Sequence, residues 1–534
     1  MNNIIDTSQF QRLRRITQTS YSPLYSSAVH NRFVHSLGVY NLGVLAGDIL
    51  EKEAKNLICK KEYTDFSFDD LSSYNRAFQL ACLLHDVGHS PFSHTGEDFY
   101  LGEERTYDKL HHILMDIISS EEFSKDVPTD KSKAAAPHEI MSAIVAITNY
   151  GAIIGEEQYK EFFARCITGY QYTIKNFKNN ILNCYIQLLN SKIIDVDKLD
   201  YLIRDAYITG FSTVSIDYIR LLSSLTIAEN INDSNGDEQE LVLAYYKGAV
   251  SVIENVVYAH DSERKWIQSH PVILYESYVL QHIIEWLCKT YNDKEKEKEL
   301  FSLNSLSVEG TTLKDGIKVR LLCDDDMIFL AKTNYDKFKL IEEFFDRRKR
   351  RHPLWKSEAE YKAFLLGISS GGSSIDNLEK AMKSTAEYLS KSNENWVIDK
   401  RLQEKLEKEI FDLQELKMDD VSKRTQLLQK NNILKVVKCL MEYAQKIHYD
   451  GDFVLLKSSQ FNSGFLKPDF SDIKIVFPSE GEDKIVKFGE KISSISGVTK
   501  DRDDFFYIFY NRTEEMENRF DVNELCKDLF RAFV

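Results

Sequence analysis

The sequence predicts a mainly α protein with a helical core, a helical extension and a small α+β C-terminal region. Three observations carry this expectation. The 534 residues include only 8 Pro and 22 Gly, few breakers for a chain of this length and in keeping with long helices. Apolar residues recur at helical spacing through the first 225 positions or so. Short apolar or alternating runs bounded by Gly, Asp, Ser and Pro gather after about residue 450.

In chain order, Phe33, Leu37, Tyr40, Leu45 and Ile49 mark a core helix from Arg32 to about Leu50, with Gly38, Gly43 and Gly47 admitting a close neighbour. Residues 74–87, rich in Ala and Leu, predict a second helix that Gly88 and Pro91 break directly after His85-Asp86. Residues 138–148 and 178–210 complete an all-helical unit. A polar stretch, 228–240, separates it from LVLAYY, a short strand, and from a long helix starting near Lys247. GISSGGSS at 367–374 reads as a flexible loop, and KEKEKEL and LQEKLEKEIFDLQELK as solvated helix faces. FVLLKS, IKIVF, IVKF and FFYIFY read as strands, followed by a closing helix at 522–532. The expected division is 1–227 for the core, 228–366 for a helical extension completing the active site, 367–449 for a further helical segment and 450–534 for the α+β region.

Composition excludes several classes. With 68 Lys plus Arg against 83 Asp plus Glu the net charge is −15, which disfavours wholesale binding of nucleic acid or anionic membrane. The eight cysteines are scattered singly with no CxxC pair, so reduced thiols are expected. No leader is evident, and no apolar run approaches the roughly 18 residues of a membrane span, so a cytoplasmic protein is expected.

The chemistry lies in His35, the pair His85-Asp86, and Asp197, drawn from three helical segments. Two imidazoles and two carboxylates suit a divalent cation with coordination positions left open, and the absence of thiolate argues against a closed structural zinc site. The competing reading of any one His-Asp pair is a capped helix end with a hydrogen-bonded core histidine. Asp197, Tyr201 and Asp205 follow at i, i+4 and i+8 and share one helix face.

The strings QFQRLRRITQ with HNRFVHS, then HDVGHSPFSH, then DVDKLDYLIRD resemble those of the HD-domain phosphohydrolases. Within that superfamily they are most similar to the deoxynucleoside triphosphate triphosphohydrolases, meaning the bacterial dGTPases and the vertebrate SAM-and-HD-domain enzymes. The resemblance covers about residues 8 to 215 and implies an HD-domain helical catalytic core. It implies His35, His85, Asp86 and Asp197 as ligands to Mn, Fe, Zn or Mg, with a second Mg arriving with the substrate. His94 would be the proton donor to the leaving 5′-oxygen and Glu97 its orienting carboxylate. His89, His138, Arg32 and Lys198 would contact phosphates, Gln18 and Tyr201 the sugar, and Asp205 the 3′-hydroxyl. The implied reaction is attack of an activated water on the α-phosphorus, releasing deoxynucleoside and inorganic triphosphate. Relatives are commonly nucleotide-regulated homo-oligomers that deplete deoxynucleotides, in housekeeping or in defence against phage.

The sequence departs from the pattern downstream. YAHDSERKWIQSHPVILYE has fewer basic residues than the matching helix of the vertebrate enzymes, leaving Arg264 and Lys265 as substitutes. The one strongly basic run, DRRKRRH at 346–352, reads as a solvated helix end, a regulatory nucleotide site or a nucleic-acid contact. Two other functions stay open: an HD phosphodiesterase acting on another nucleotide or oligonucleotide, and a non-catalytic nucleotide sensor.

Overall fold

Helices dominate, as the low Pro and Gly content requires. The structure, a computed structural model, describes residues 2–60, 66–102, 105–192, 194–230, 240–293, 299–366, 372–391, 395–415, 421–458, 470, 472–478, 484–491, 505–512 and 519–533. Among the helices are α1 (Arg32–Lys60), α2 (Phe68–Leu84), α3 (Pro137–Ile154), α4 (Glu157–Thr168), α5 (Phe177–Leu189), α6 (Val196–Thr209), α7 (Val250–Glu263), α8 (Gly372–Lys391), α9 (Lys400–Glu415), α10 (Val421–Lys446) and α11 (Val522–Arg531). The longer strands are β1 (Leu225–Asn230), β2 (Glu240–Tyr246), β3 (Phe453–Lys457), β4 (Lys474–Phe477), β5 (Lys484–Lys487) and β6 (Phe506–Tyr510).

Packing groups the chain into two units that interleave in sequence, one of 1–264, 287–330 and 462–500, the other of 265–286, 331–461 and 501–534. Four successive blocks were expected. The difference comes from strand pairing: the α+β tail splits, with β4 lying parallel to β2 (Ala244 opposite Lys474) in the first unit and β6 antiparallel to β3 (Tyr510 opposite Phe453) in the second. No local pattern names a partner more than 200 residues away.

In the first unit α1 and α2 form the centre of the core. The side chain of Asn31 caps α1 by accepting from Val34 N, and Ser67 caps α2 by accepting from Asp70 N. The expected close approach is present: a Cβ on Gly43 would lie 2.5 Å from Cys82 Sγ, and one on Gly47 2.4 Å from Asn75 Oδ1. Alanine at Gly43 would therefore push the two helices apart. Leu50, Phe78, Phe162, Phe163 and Tyr185 are fully buried around this contact, each worth ~1.5–3 kcal/mol of apolar burial. By length and composition α1 is also long and apolar enough to cross a membrane, which corrects the expectation that no run approaches that length. Half of its apolar window is buried inside the fold. The sheet order is β1-β2-β4-β5, with β1 and β5 antiparallel to their neighbours.

The second unit packs α8, α10 and α11 beside a small sheet in which β6 lies between His352–Pro353 and β3. The basic run is largely neutralised within this unit. Arg348 pairs with Asp346, Lys349 with Glu342, and Arg350 donates to Val272 O. Arg351 is buried between Glu343 and Asp452, with Tyr275 OH 2.9 Å away. Residues 231–239, 294–298 and 367–371, which hold most of the polar stretch, the KEKEKEL run and the expected flexible loop, lie outside the described residues. Among the described cysteines all are free and only Cys59 is exposed.

Candidate metal centre and active site

Three helices deliver the expected ligands to one point in the first unit. His35 lies in the first turn of α1, His85 caps the C-terminus of α2 with Asp86 next to it, and Asp197 lies in the first turn of α6. The N-cap of α6 is Asp195, which accepts from Lys198 N at 2.7 Å and so starts the helix where Asp197 must project.

His35 Nε2 is 2.9 Å from Asp197 Oδ1 and 3.3 Å from His85 Nε2, while His85 Nε2 is 3.5 Å from Asp86 Oδ1. Donors sharing one ion at about 2.0–2.2 Å stand roughly 3–3.5 Å apart; His35, His85 and Asp197 form a group close to this spacing, and Asp86 adjoins it. The tautomers agree. His85 Nδ1 donates to Cys82 O at 3.0 Å and His35 Nδ1 to Asp200 Oδ2 at 2.7 Å, which leaves both Nε2 lone pairs facing inward with the carboxylates. Electron-rich atoms so arranged repel one another unless a cation or a proton lies between them. The charge balance says the same: burial opposes a charged His35, yet Asp197 and Asp200 outweigh it and raise its pKa to about 10. Burial likewise opposes ionisation of Asp86, and Arg32 and His85 overcome it, holding the carboxyl well below its usual range. The residues fit a divalent metal, and Asp197 is 37% exposed, which keeps the centre open on one side.

Beside the ligands stands a second cluster, basic and aromatic. His89 stacks on His138 at 4.3 Å, and His94 meets both edge-on at 5.1 and 5.0 Å. His89 is fully buried, and neither ring nitrogen has a hydrogen-bond partner among the described residues. Burial and the neighbouring Arg32 keep it neutral, its pKa well below the ordinary value. His94 is 64% exposed. Glu97 accepts from both of its neighbours, one oxygen 3.3 Å from His94 Nδ1 and the other in a short contact with His138 Nδ1. The expectation assigned Glu97 to His94 alone, whereas the closer partner is His138. The turn carrying His94 holds two consecutive non-glycine residues in the left-handed region, Phe92 (φ 56°) and Ser93 (φ 54°). Such strain costs about 1–3 kcal/mol per residue and clusters at functional sites.

Arg32 joins the clusters. Its guanidinium donates to Asp86 Oδ2 at 2.8 Å and to Ser93 Oγ at 2.9 Å, and lies 3.5 Å from His94 Nε2. Gln18 is buried nearby with Oε1 unpartnered. On α6, Tyr201 is half-buried, and Asp205 is buried against His30 Nε2 at 2.7 Å. Lys198 turns away from the ligands, donating to Asp195 Oδ2 and Ser191 O, both at 2.6 Å.

Several supporting residues escaped the sequence reading. Asp200 orients His35 and receives both Nε and NH2 of Arg204; its only signal was its place three residues after Asp197. His30 had the signal of standing in HNRFVHS. Asp324 had none: it accepts from Thr17 N at 2.8 Å and Phe92 N at 2.7 Å, tying together the loops that carry Gln18 and His94. Burial pushes its carboxyl up to about 6 despite those bonds.

The comparisons with known proteins agree with this geometry. The HD domain family matches residues 32–154, which include three of the four ligands. An uncharacterised protein of Methanocaldococcus jannaschii is 27% identical over 272 residues, covering 51% of this chain and 42% of that protein. The deoxynucleoside triphosphate triphosphohydrolase SAMHD1 of Danio rerio is 30% identical over 238 residues, covering 42% and 34%, and that of Mus musculus 30% over 235 residues, covering 42% and 32%. The match thus spans less than half the length of these curated relatives. A solved structure of a hypothetical protein from Aquifex aeolicus shares the fold with a TM-score of 0.50 at 17% identity, over 98% of this chain and 94% of that one. The ligand geometry and the family match agree: residues 32–154 match the HD domain, and part of the chain is similar to dNTP triphosphohydrolases.

Proposed function

We propose that the protein hydrolyses deoxynucleoside triphosphates to deoxynucleoside and inorganic triphosphate. The observation that carries this reading is adjacency: the His35, His85 and Asp197 group adjoins Asp86, Asp86 holds Arg32, and Arg32 leads directly to the three-histidine cluster. A polyphosphate needs this combination, with a cation at the phosphoryl group attacked and fixed positive or donating groups along the remaining charge.

A divalent cation held by His35, His85, Asp86 and Asp197 supplies polarisation of a phosphoryl oxygen and a lowered pKa for bound water. The chain's own residues do the rest. His94 presents Nε2 to the leaving oxygen while Glu97 holds Nδ1, the arrangement of a general acid. His89 offers two unpartnered ring nitrogens to phosphate oxygens, and His138, carrying its proton through Glu97, adds positive charge. Lys198 reaches a phosphate by exchanging its bond to Asp195. Tyr201 walls the sugar, where an added 2′-hydroxyl would be buried without a partner. Asp205 and Gln18 meet the sugar edge. In a cell this activity would lower deoxynucleotide supply and so restrict phage replication.

The test is incubation of the purified protein with each deoxynucleotide and ribonucleotide, alone and mixed, with Mg²⁺ or Mn²⁺, followed by anion-exchange separation. Nucleoside plus triphosphate from deoxynucleotides only is expected, with no product from Asp197→Ala. Turnover of ribonucleotides or oligonucleotides instead would favour an HD phosphodiesterase. Biological activity retained in Asp197→Ala would favour a sensor.

A further inference from the structure

Arg12 opens the short 3-10 turn Arg12–Arg15 ahead of the loop that carries Gln18, and it is 3% exposed. Its guanidinium meets main-chain carbonyls rather than an acid: NH1 donates to Leu322 O at 2.6 Å, and NH2 to Val87 O at 3.0 Å and His89 O at 2.8 Å. Asp324 and Asp326 act on it as nearby charges, not as hydrogen-bond partners. A buried cation needs such compensation, and the fork of a guanidinium can reach several carbonyls at once.

Two of these carbonyls flank Gly88, in the turn that joins Asp86 to His89. The amide of Gly88 is held from the other side, donating to Ser142 Oγ at 3.0 Å, and a Cβ on Gly88 would lie 2.4 Å from Ser142 N. Ser142 stands on α3 one helical turn after His138. The turn is therefore clamped between Arg12 and the helix that carries His138. His89 depends on that clamp, because its ring stacks on His138 at 4.3 Å and its nitrogens have no partner among the described residues. The metal ligands beside it do not: His85 is oriented by Cys82 O and Asp86 by Arg32.

We propose that Arg12 is a positioning residue for His89, holding the carbonyls on both sides of Gly88 so that the imidazole lies flat on His138. The contact of His89 with phosphate rests on the hydrolase reading; its seating by Arg12 does not. The test is NMR of the full-length protein labelled with carbon-13 at histidine, with Mg²⁺ present, the His89 ring signal being assigned by its loss in His89→Gln. In Arg12→Met that signal should shift or split. Metal affinity, read by chelator competition, should stay within about twofold of wild type, while calorimetric binding of inorganic tripolyphosphate should weaken at least about tenfold. Arg12→Lys keeps the buried charge and is read in the same way if Arg12→Met does not fold, since one ammonium cannot span the three carbonyls. An unchanged His89 signal in the folded variant would overturn the proposal, as would a loss of metal affinity as large as the loss of tripolyphosphate binding. A wild type that does not bind tripolyphosphate would count against the hydrolase reading alone, with the ring signal still deciding the role of Arg12.

Discussion

His35 donates from Nδ1 to Asp200 Oδ2 at 2.7 Å, so a carboxylate that is not itself among the ligands decides which nitrogen faces Asp197 and His85. Asp200→Ala should lower divalent-metal affinity about 10- to 100-fold with the fold retained, the usual cost of losing such a partner. Competition with a fluorescent chelator measures it. Unchanged affinity would mean that packing alone orients the ring.

Gly38 tests the same relationship without replacing a ligand or its partner. A Cβ there would lie 1.9 Å from Asp200 Oδ1 and 2.3 Å from Arg204 NH2. These are side-chain atoms, so Gly38→Ala should leave the helix intact while displacing Asp200, and should reproduce part of the Asp200→Ala loss in metal affinity.

Arg32 and Asp86 form a buried ion pair, with side chains 4% and 1% exposed. In protein stripped with EDTA, Arg32→Ala leaves Asp86 without its principal partner, and urea denaturation should show a loss of about 3–5 kcal/mol. Arg32→Lys should recover little, because a single ammonium cannot serve Asp86 and Ser93 as the fork does. Restored metal should narrow the difference.

Glu97 and His138 should give stability a defined pH window. Burial opposes a charged His138, but Glu97 raises its pKa to about 9, so its contribution is complete below the ordinary 6.5 and fades as pH rises through about 9. Burial opposes ionised Glu97, but His138 and His94 hold its carboxyl far below the ordinary 4.5. Its contribution is therefore present above 4.5 and lost only in strong acid. Tm measured against pH should flatten at both ends in Glu97→Gln, and an identical profile in the variant would count against the pair.

Asp324 accepts from two backbone amides of separate loops. Asp324→Ala should cost about 1–3 kcal/mol by leaving buried N–H groups unpaired. The loosened turn at Phe92 should also lower turnover through His94 more than it raises KM.

The candidate ligands could be singled out in the sequence because identity and spacing both spoke for them: His35, His85-Asp86 and Asp197 are chemically distinctive and stand on recognisable helices. What those residues touch was less so. Arg32 pairs with a residue 54 positions away, and Lys198 with its own N-cap rather than the site, choices set by tertiary geometry and by competition between acceptors. Asp200 was one more acid on an acidic helix, and nothing local marks Asp324. The main helices and the later strands were legible from periodicity, but strand partners were not, since alternation says which face is buried and not against what.

The parallel pairing of β2 with β4 has a consequence for synthesis. Tyr246 and its partner Val476 are separated by most of the second unit in sequence. A ribosome adding about 5–20 residues per second delivers β4 on the order of 10–50 s after β2. Through that interval β2 has an unpaired edge along the line that β4 later takes. The nascent chain can therefore assemble its metal ligands well before it closes this sheet, and it is during this delay that a chaperone covering the β2 edge would matter most.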